Sequence, residues 1–379
     1  MRVGAVVVVL TLLGASGAAA TPTPTPSGWR LERTFGARTW DGADAVLVVA
    51  SDDVWVFRSW ARDFEVRIPV AYHWDGVRWT KVPLPKGLKG GVNRAVARSS
   101  DDVWATVSGD QEVRGDAAVL HWDGAHWTVA KKTKALGLED VTLVGKRGLM
   151  AVERDSGESF VWRFDGRKWA RTRNERVWWL GGSSANDVWS VALDGGVYRY
   201  VKGRWKRQKL GKAVPAHTSC AGGRYPCADV SWGGVVPASR TRTWVFGYLS
   251  AEAKESETVE TGLLLRRDGD TWKRLPVPRN WIPQRAATDG KGGLWLAGRQ
   301  LDQPVVENAS YKTVTWHVTA DGVWQGLPAL TAPEGPGFLY ALARIPGTRS
   351  MIGVGSIRLS DPPDPEESPA KAAIWRLDP

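Results

Sequence analysis

The side chains of this chain that could do chemistry are arginines, carboxylates and aromatic rings, and they gather in stretches unlike one another. "FRSWARDFE" holds Arg58, Trp60 and Arg62, and "RTRNERVWW" holds Arg171, Arg173, Arg176, Trp178 and Trp179. Tyr225 lies in "CAGGRYPC" with Trp232 shortly after it, and Arg279 and Trp281 sit together in "PVPRNW". Guanidinium forks grip carboxylates and phosphates in pairs, and aromatic faces stack on sugar rings or peptide side chains. Arg58, Trp60, Arg62, Arg176, Trp178, Trp179, Tyr225, Arg279 and Trp281 are therefore candidate ligand contacts. The competing expectation is that Trp178, Trp179, Trp232 and Trp281 open inner strands and are taken up by packing.

Catalytic signatures are missing. The five histidines, His73, His121, His126, His217 and His317, stand at no metal-binding spacing with cysteines or carboxylates. There is no Gly-x-Ser-x-Gly elbow and no glycine-rich phosphate loop. A retaining glycosidase needs two carboxyl groups about 5 Å apart. Asp63, Glu65, Glu112, Asp116, Glu158 and Glu175 stand in irregular stretches, and the fold decides which of them converge. A sialidase-like centre would add an arginine cluster and a tyrosine nucleophile, for which Tyr340 is available. Two function classes stay open: a noncatalytic binding module, which the missing signatures favour, and a carbohydrate-active enzyme (sialidase-like glycosidase or polysaccharide lyase). No cofactor and no metal is expected.

The elements that must position these residues announce themselves by repetition. One phrase is an apolar run after an acidic or glycine turn: "SDDVW" ending at Trp55 and again at Trp104, "ANDVW" at Trp189, "RTRTW" at Trp244, "GKGGLW" at Trp295, with weaker copies at Met150 and Met351. The other is Asp-Gly followed closely by tryptophan: "HWDGVRW" at Trp79, "HWDGAHW" at Trp127, "RFDGRKW" at Trp169, "RRDGDTW" at Trp272, with shorter forms at Trp205 and Trp324. The first phrase occurs seven times and the second six. The missing copy is rebuilt by joining the C-terminal "IWRLDP" to the N-terminal "SGWRL", where Trp29 supplies the tryptophan. A linear solenoid has no use for such a split; a closed ring does, because pairing the two ends in one sheet locks the circle. Four short strands per unit of about 50 residues describe an all-β, seven-bladed β-propeller over residues 28–379. A miscounted weak copy would make it six or eight.

Within the second unit, "RAVARS" is the innermost strand, "VWATVS" the second, "AAVLHW" the third and "HWTVA" the fourth, with Asp-Gly as a two-residue hairpin turn. "S-x-x-D-V-W" followed by "H-W-D-G-x-x-W" resembles the propeller repeats of exported bacterial proteins, loosely grouped as Asp-box or BNR-repeat proteins. The resemblance covers residues 28–379. It departs in detail, since Asp and Gly are adjacent here and the serine of the Asp box is absent. One fourth-strand tryptophan per unit (Trp29, Trp79, Trp127, Trp169, Trp205, Trp272, Trp324) is the pattern of blade-to-blade packing. Asp75, Asp123, Asp165 and Asp268, and also Asp53, Asp102 and Asp187, are expected to bond their own turn backbone. Both repeated turns fall on one face of the disk. The other face carries the irregular connections, where a site on a repeat scaffold belongs.

The opening "MRVGAVVVVLTLLGASGAAA" reads as a secretory signal peptide over residues 1–20, cleaved near Ala20. "TPTPTPS", residues 21–27, follows as a Thr/Pro spacer. No other apolar run is long enough to span a membrane. Export to an oxidising compartment pairs Cys220 with Cys227. The formal charge of +11 favours an anionic extracellular partner, a polymer or glycan before a protein. The cations are too scattered for a nucleic-acid motif, and a monomer is expected.

Overall fold

The computed structural model describes residues 28–36, 40–61, 66–109, 117–155, 158–172, 177–184, 187–215, 220, 227–254, 257–303, 311–359 and 369–378. They form the expected propeller of seven sheets.

The N-terminal strand is β1 (Arg30–Thr34). Blade 1 is β2 (Trp40–Ala50), β3 (Asp53–Ala61), β4 (Ile68–Trp74) and β5 (Trp79–Val82). Blade 2 is β6 (Gly91–Ser99), β7 (Asp102–Ser108), β8 (Ala118–Trp122) and β9 (Trp127–Lys132). Blade 3 is β10 (Gly137–Val144), β11 (Gly148–Asp155), β12 (Glu158–Phe164) and β13 (Trp169–Thr172). Blade 4 is β14 (Trp179–Ser184), β15 (Asp187–Val191), β16 (Val197–Val201) and β17 (Arg204–Arg207). Blade 5 is β18 (Cys227–Pro237), β19 (Arg242–Lys254), β20 (Glu257–Asp268) and β21 (Thr271–Leu275). Blade 6 is β22 (Trp281–Thr288), β23 (Leu294–Leu301), β24 (Tyr311–Val318) and β25 (Trp324–Gly326). Blade 7 is β27 (Gly335–Arg344), β28 (Met351–Arg358), β29 (Ala370–Leu377) and, closing the ring, β1; a two-residue strand, β26 (Thr331–Ala332), lies on the free edge of β27. β1 runs antiparallel to β29, with Leu31 opposite Trp375, so the phrase split between the chain ends is one hairpin-like pair. Each first strand touches the next around the circle, from β2 through β6, β10, β14, β18, β22 and β27 back to β2.

The core is seven separate wedges, one between each pair of blades, and every wedge holds a fourth-strand tryptophan. Trp127 fills the joint of blades 1 and 2, Trp169 that of 2 and 3, and Trp205 that of 3 and 4. Trp272, Trp324, Trp29 and Trp79 fill the remaining four. Across three joints this tryptophan meets the second-strand tryptophan of the preceding blade edge to face. The ring centres are 5.3 Å apart for Trp55–Trp127, 6.4 Å for Trp104–Trp169 and 6.1 Å for Trp189–Trp272. That is the geometry favoured by the aromatic quadrupole.

Two expectations need correction. The hairpin turn is centred on Gly-X: Asp75 precedes it, its Oδ1 accepting the amides of Val77 (2.9 Å) and Arg78 (2.8 Å), while Gly76 takes the positive φ of +89°. Asp123 and Asp165 do the same. Asp53, Asp102, Asp187 and Asp268 instead hold side chains of the neighbouring strand, as His73 on Asp53 at 2.8 Å and Arg242 on Asp268 at 2.9 Å. β19 and β20 are the longest pair, at 13 and 12 residues.

Candidate functional site at the channel mouth

The two faces of the disk are chemically distinct. On one, the first-to-second and third-to-fourth strand turns lie against each other: a methyl added at Gly76 would meet Asp52 Cβ at 2.8 Å, and one at Gly124 would meet Asp101 Cβ at 2.9 Å. The inner strands begin at the opposite face, where the irregular connections lie.

At that end the inner strands share a device. β2, β6, β10, β18, β22 and β27 each carry a bulge, at Asp44, Asn93, Glu139, Gly233, Gln284 and Tyr340. Every bulged residue lies eleven positions before the second-strand Trp or Met. In blade 4 the same offset falls on Trp178, whose amide bonds Val191 O although Trp179 is Val191's register partner. A bulge breaks the in-out alternation and re-aims the side chain. Here it builds a belt of non-repeating polar groups around the upper channel.

Asn93 Nδ2 reaches Ser108 Oγ (2.5 Å), Leu138 O (3.2 Å) and Glu139 Oε2 (3.3 Å). Glu139 Oε1 lies 3.1 Å from Arg154 Nε, and that guanidinium is 5.5 Å from the Trp178 ring centre. Burial raises the Glu139 carboxyl above its ordinary range, Arg154 pulling the other way. Burial likewise lifts Asp44 to about 6 against the pull of Ser59 and Arg67. Asp140, next to the bulge, is lifted by burial to about 6 against the pull of Arg94, and accepts the amides of Val141 (2.8 Å) and Leu180 (2.7 Å). Arg94 is exposed, with Nε 3.8 Å from Asp140. Arg285 donates Nε to Tyr340 O (2.5 Å) and Nη1 to Gln284 O (2.8 Å). Tyr340 Oη lies 2.6 Å from Ser356 Oγ.

No protein-family model matches the sequence, and neither does any curated protein. The likeness is one of shape. The structure is similar to that of YCF48 bound to a D1 peptide, at 12% identity and a TM-score of 0.55, covering 94% of this chain and 99% of that one. It also aligns with the N-terminal domain of Nup159 (10% identity, TM-score 0.43, 94% of this chain and 97% of that one). A third match is a chain of an S. cerevisiae complex of Dbp5 with Nup159 and Gle1 (10%, 0.42, 93% and 95%). At such identities the first match speaks to the propeller fold alone.

The candidate ligand contacts do not converge. Arg58 lies inside β3 with 7% of its surface exposed, and both guanidinium arms bond the Asp41 carboxylate. Trp60 is half-buried near the end of the same strand. Trp281 is 1% exposed in the joint of blades 5 and 6 and bonds Val314 O at 3.3 Å. Trp179 packs in the joint of blades 4 and 5, and Trp232 there bonds Gly195 O at 2.8 Å. Among the described candidates Trp178 alone reaches the belt, and Arg279 is exposed on a connection of the irregular face. Arg62, Arg176 and Tyr225 lie outside the described residues, as do Asp63, Glu65, Glu112, Asp116 and Glu175. Cys220 and Cys227 form a disulfide, with Glu252 close to both sulfurs. The bonded sulfurs offer no thiolate to a metal ion. Beside this bond, a cleft of about 730 Å³ opens between blades 4 and 5, lined by Leu193, Asp194, Arg207 and Asp229 among others.

Motif reading missed Asn93, Arg94, Glu139, Asp140 and Arg285. A signal for them exists: the fixed offset from the second-strand aromatic, at which the residue type changes in every repeat while the frame around it stays constant.

Proposed function

We propose that the protein is an exported, noncatalytic binding module that receives a partner with anionic groups on its irregular face, over the channel mouth. The observation carrying this reading is the belt of bulged residues, at which Asp44, Asn93, Glu139, Gln284 and Tyr340 set polar groups at one height of the inner strands. Among the described residues its acids are buried or engaged within the protein: Asp44 is buried, Glu139 lies beside Arg154, and Asp140 accepts two backbone amides. A glycosidase needs an acid and a nucleophile aimed at substrate, so this arrangement supports binding over hydrolysis. YCF48, a propeller of similar architecture, is known with a D1 peptide bound, and the +11 charge of this chain favours acidic partners.

Export rests on the leader of residues 1–20, the Thr/Pro spacer 21–27 and the Cys220–Cys227 bond. Kinship with exported Asp-box-like repeat proteins rests on the "DVW…HWDG" phrases. Among the described residues no helix is long and apolar enough to cross a membrane.

The test is a screen of the purified chain against acidic peptides, uronate-bearing glycans and wall polymers. The expected result is capture of an anionic class, weakening with salt as exposed charge pairs do. Capture should persist in Lys168→Gln, which removes a cation from the turn face. Hydrolysis of a sialoside or uronide, or loss of capture in Lys168→Gln, would overturn the reading.

A further inference from the structure

We propose that the outer edge of blade 4, continued by the outer strand of blade 5, binds a flexible phosphodiester polymer. No carboxylate side chain lies between Asp194 and Asp229 in the chain. Within that stretch Lys202, Arg204, Lys206, Arg207, Lys209 and Lys212 follow in close succession, and all six are exposed. Arg207 Nη1 stands 4.0 Å from Asp194. Among the described residues the other five side chains meet no carboxylate. The run starts at the turn face, follows β17 across the edge of the disk and ends in the 3-10 turn Gly211–Ala213. That turn lies against β21, whose Lys273 and Arg274 are also exposed and, among the described residues, also without a carboxylate partner. The fold thereby joins two basic stretches that are far apart in the chain.

Edge strands often carry a lysine or two that discourage pairing with another sheet. This edge exceeds that need. β5 and β13 hold one cation each and β25 none, whereas three of the four residues of β17 are cationic. The turn before β17 departs from its frame as well. Asp75, Asp123, Asp165, Asp268 and Asp321 stand in the third-to-fourth turns of blades 1, 2, 3, 5 and 6. Blade 4 has no acid there and sets Lys202 at a φ of +50°, before Gly203 at +82°. A two-residue turn with both φ positive ordinarily opens on asparagine, aspartate or glycine, because a Cβ crowds the backbone in that conformation. Lysine adds charge where the frame elsewhere subtracts it, and does so at a conformational cost.

The shape and chemistry of the edge set the partner. The strand rises about 3.3 Å per residue, so its charges form a line that engages many groups of one chain at once. Lysines are the majority. An ammonium is a point charge on a flexible stem and suits phosphates spaced along a mobile backbone, whereas arginine forks are the better match for carboxylates. Trp205 and Trp272 are packed in the joints of the blades, so neither outer-strand ring is free to stack on a base or a sugar. Recognition is left to charge.

This edge lies away from the channel mouth, and the inference does not rest on the reading above. The test titrates the full chain with a fluorescent glycerol-phosphate decamer at several salt concentrations. Lys206→Gln/Lys209→Gln/Lys212→Gln should bind it roughly tenfold or more weakly. The slope of log affinity against log salt should fall by about 2, as three lost phosphate contacts imply. Arg78→Gln/Lys81→Gln/Lys86→Gln removes the same charge from exposed positions of blade 1 and should stay within about threefold of native. Lys202→Asn, better suited to the left-handed position, should melt no lower than native and still bind about twofold more weakly. Equal weakening by the two triple variants overturns the proposal, as does native affinity in both the blade 4 triple and Lys202→Asn. Tighter binding of a decadeoxynucleotide or a decagalacturonate than of the glycerol-phosphate decamer also overturns it. Loss of acidic-peptide capture in the blade 4 triple would place that capture on this edge and overturn the channel-mouth reading instead.

Discussion

Asp44 shows how one residue at the mouth couples the site to stability. Its carboxyl is buried, with Oδ2 lacking a hydrogen bond, and burial raises it from 3.8 to about 6. An acid raised in the folded state holds its proton more tightly folded than unfolded. Stability is therefore gained as pH falls through about 6 and withheld above it. Asp44→Asn should raise the melting temperature at pH 7.5, raise it about half as much at pH 5, and change it little once the pH is below the ordinary 3.8, because the amide imitates an acid that is protonated both folded and unfolded. The shift at pH 7.5 corresponds to roughly 1–2 kcal/mol, allowing for partial hydration. Thermal melts at the two pH values check this, and an equal effect at both would contradict it. Neither Asp44 nor its neighbours belong to any motif, because their role comes from a bulge that a residue-by-residue reading does not register. The opposite happened with Arg58 and Trp281, whose types suggested ligand contact but which the fold turns into a buried ion pair and a wedge.

At the scale of the element, the "DVW" phrase is a small polar clamp on a tryptophan. Asp102 accepts from Trp104 Nε1 (2.5 Å), meets His121 Nε2 (2.9 Å) and takes Arg98 Nη1 (3.1 Å). The His121 ring stacks on Trp104 at 4.1 Å. The carboxylate–histidine pair with its ring stacked on a tryptophan recurs at Asp53–His73–Trp55 and Asp289–His317–Trp295, while Asp187 takes the Trp189 indole at 2.9 Å with Arg199 in place of histidine. Burial pushes the Asp102 carboxyl up, and the bonds from Trp104, His121 and Arg98 more than reverse it, leaving it below 3.8. A depressed acid contributes stability that is complete above its ordinary value and lost as pH falls through the depressed one. Asp102→Ala should therefore cost about 1–3 kcal/mol at neutral pH, and urea unfolding should show the gap closing below the ordinary 3.8. A gap unchanged at pH 2.5 would mean that packing, and not the charge, carries the effect. Alternation, turn chemistry and the Trp frame were legible in the chain because each depends on contacts within one blade or one repeat period.

At the scale of the molecule, stability depends on closure. Without β1, the outer edge of β29 is bare and the joint of blades 6 and 7 loses Trp29, whose indole bonds Thr315 Oγ1 at 2.9 Å. A chain beginning at Phe35 should melt on the order of 10 °C lower than one beginning at Gly28, given the entropy scale of unfolding. A circular permutant that links Asp378 to Gly28 and opens at the exposed connection near Lys86 should retain the native melt. Indistinguishable melts for the truncated and full chains would show that the ring does not need this strand.

The amino-acid sequence alone determined the class of fold, the number of blades, the strand that closes the ring and the residue that fills each joint. These follow from a period, and a period is visible in one dimension. Only the tertiary structure decided where a ligand could meet the protein. Asn93 and Glu139 are 46 positions apart in the chain and belong to different blades, yet Asn93 Nδ2 lies 3.3 Å from Glu139 Oε2. They come together because seven inner strands converge on one axis, and six of them bulge at the same height.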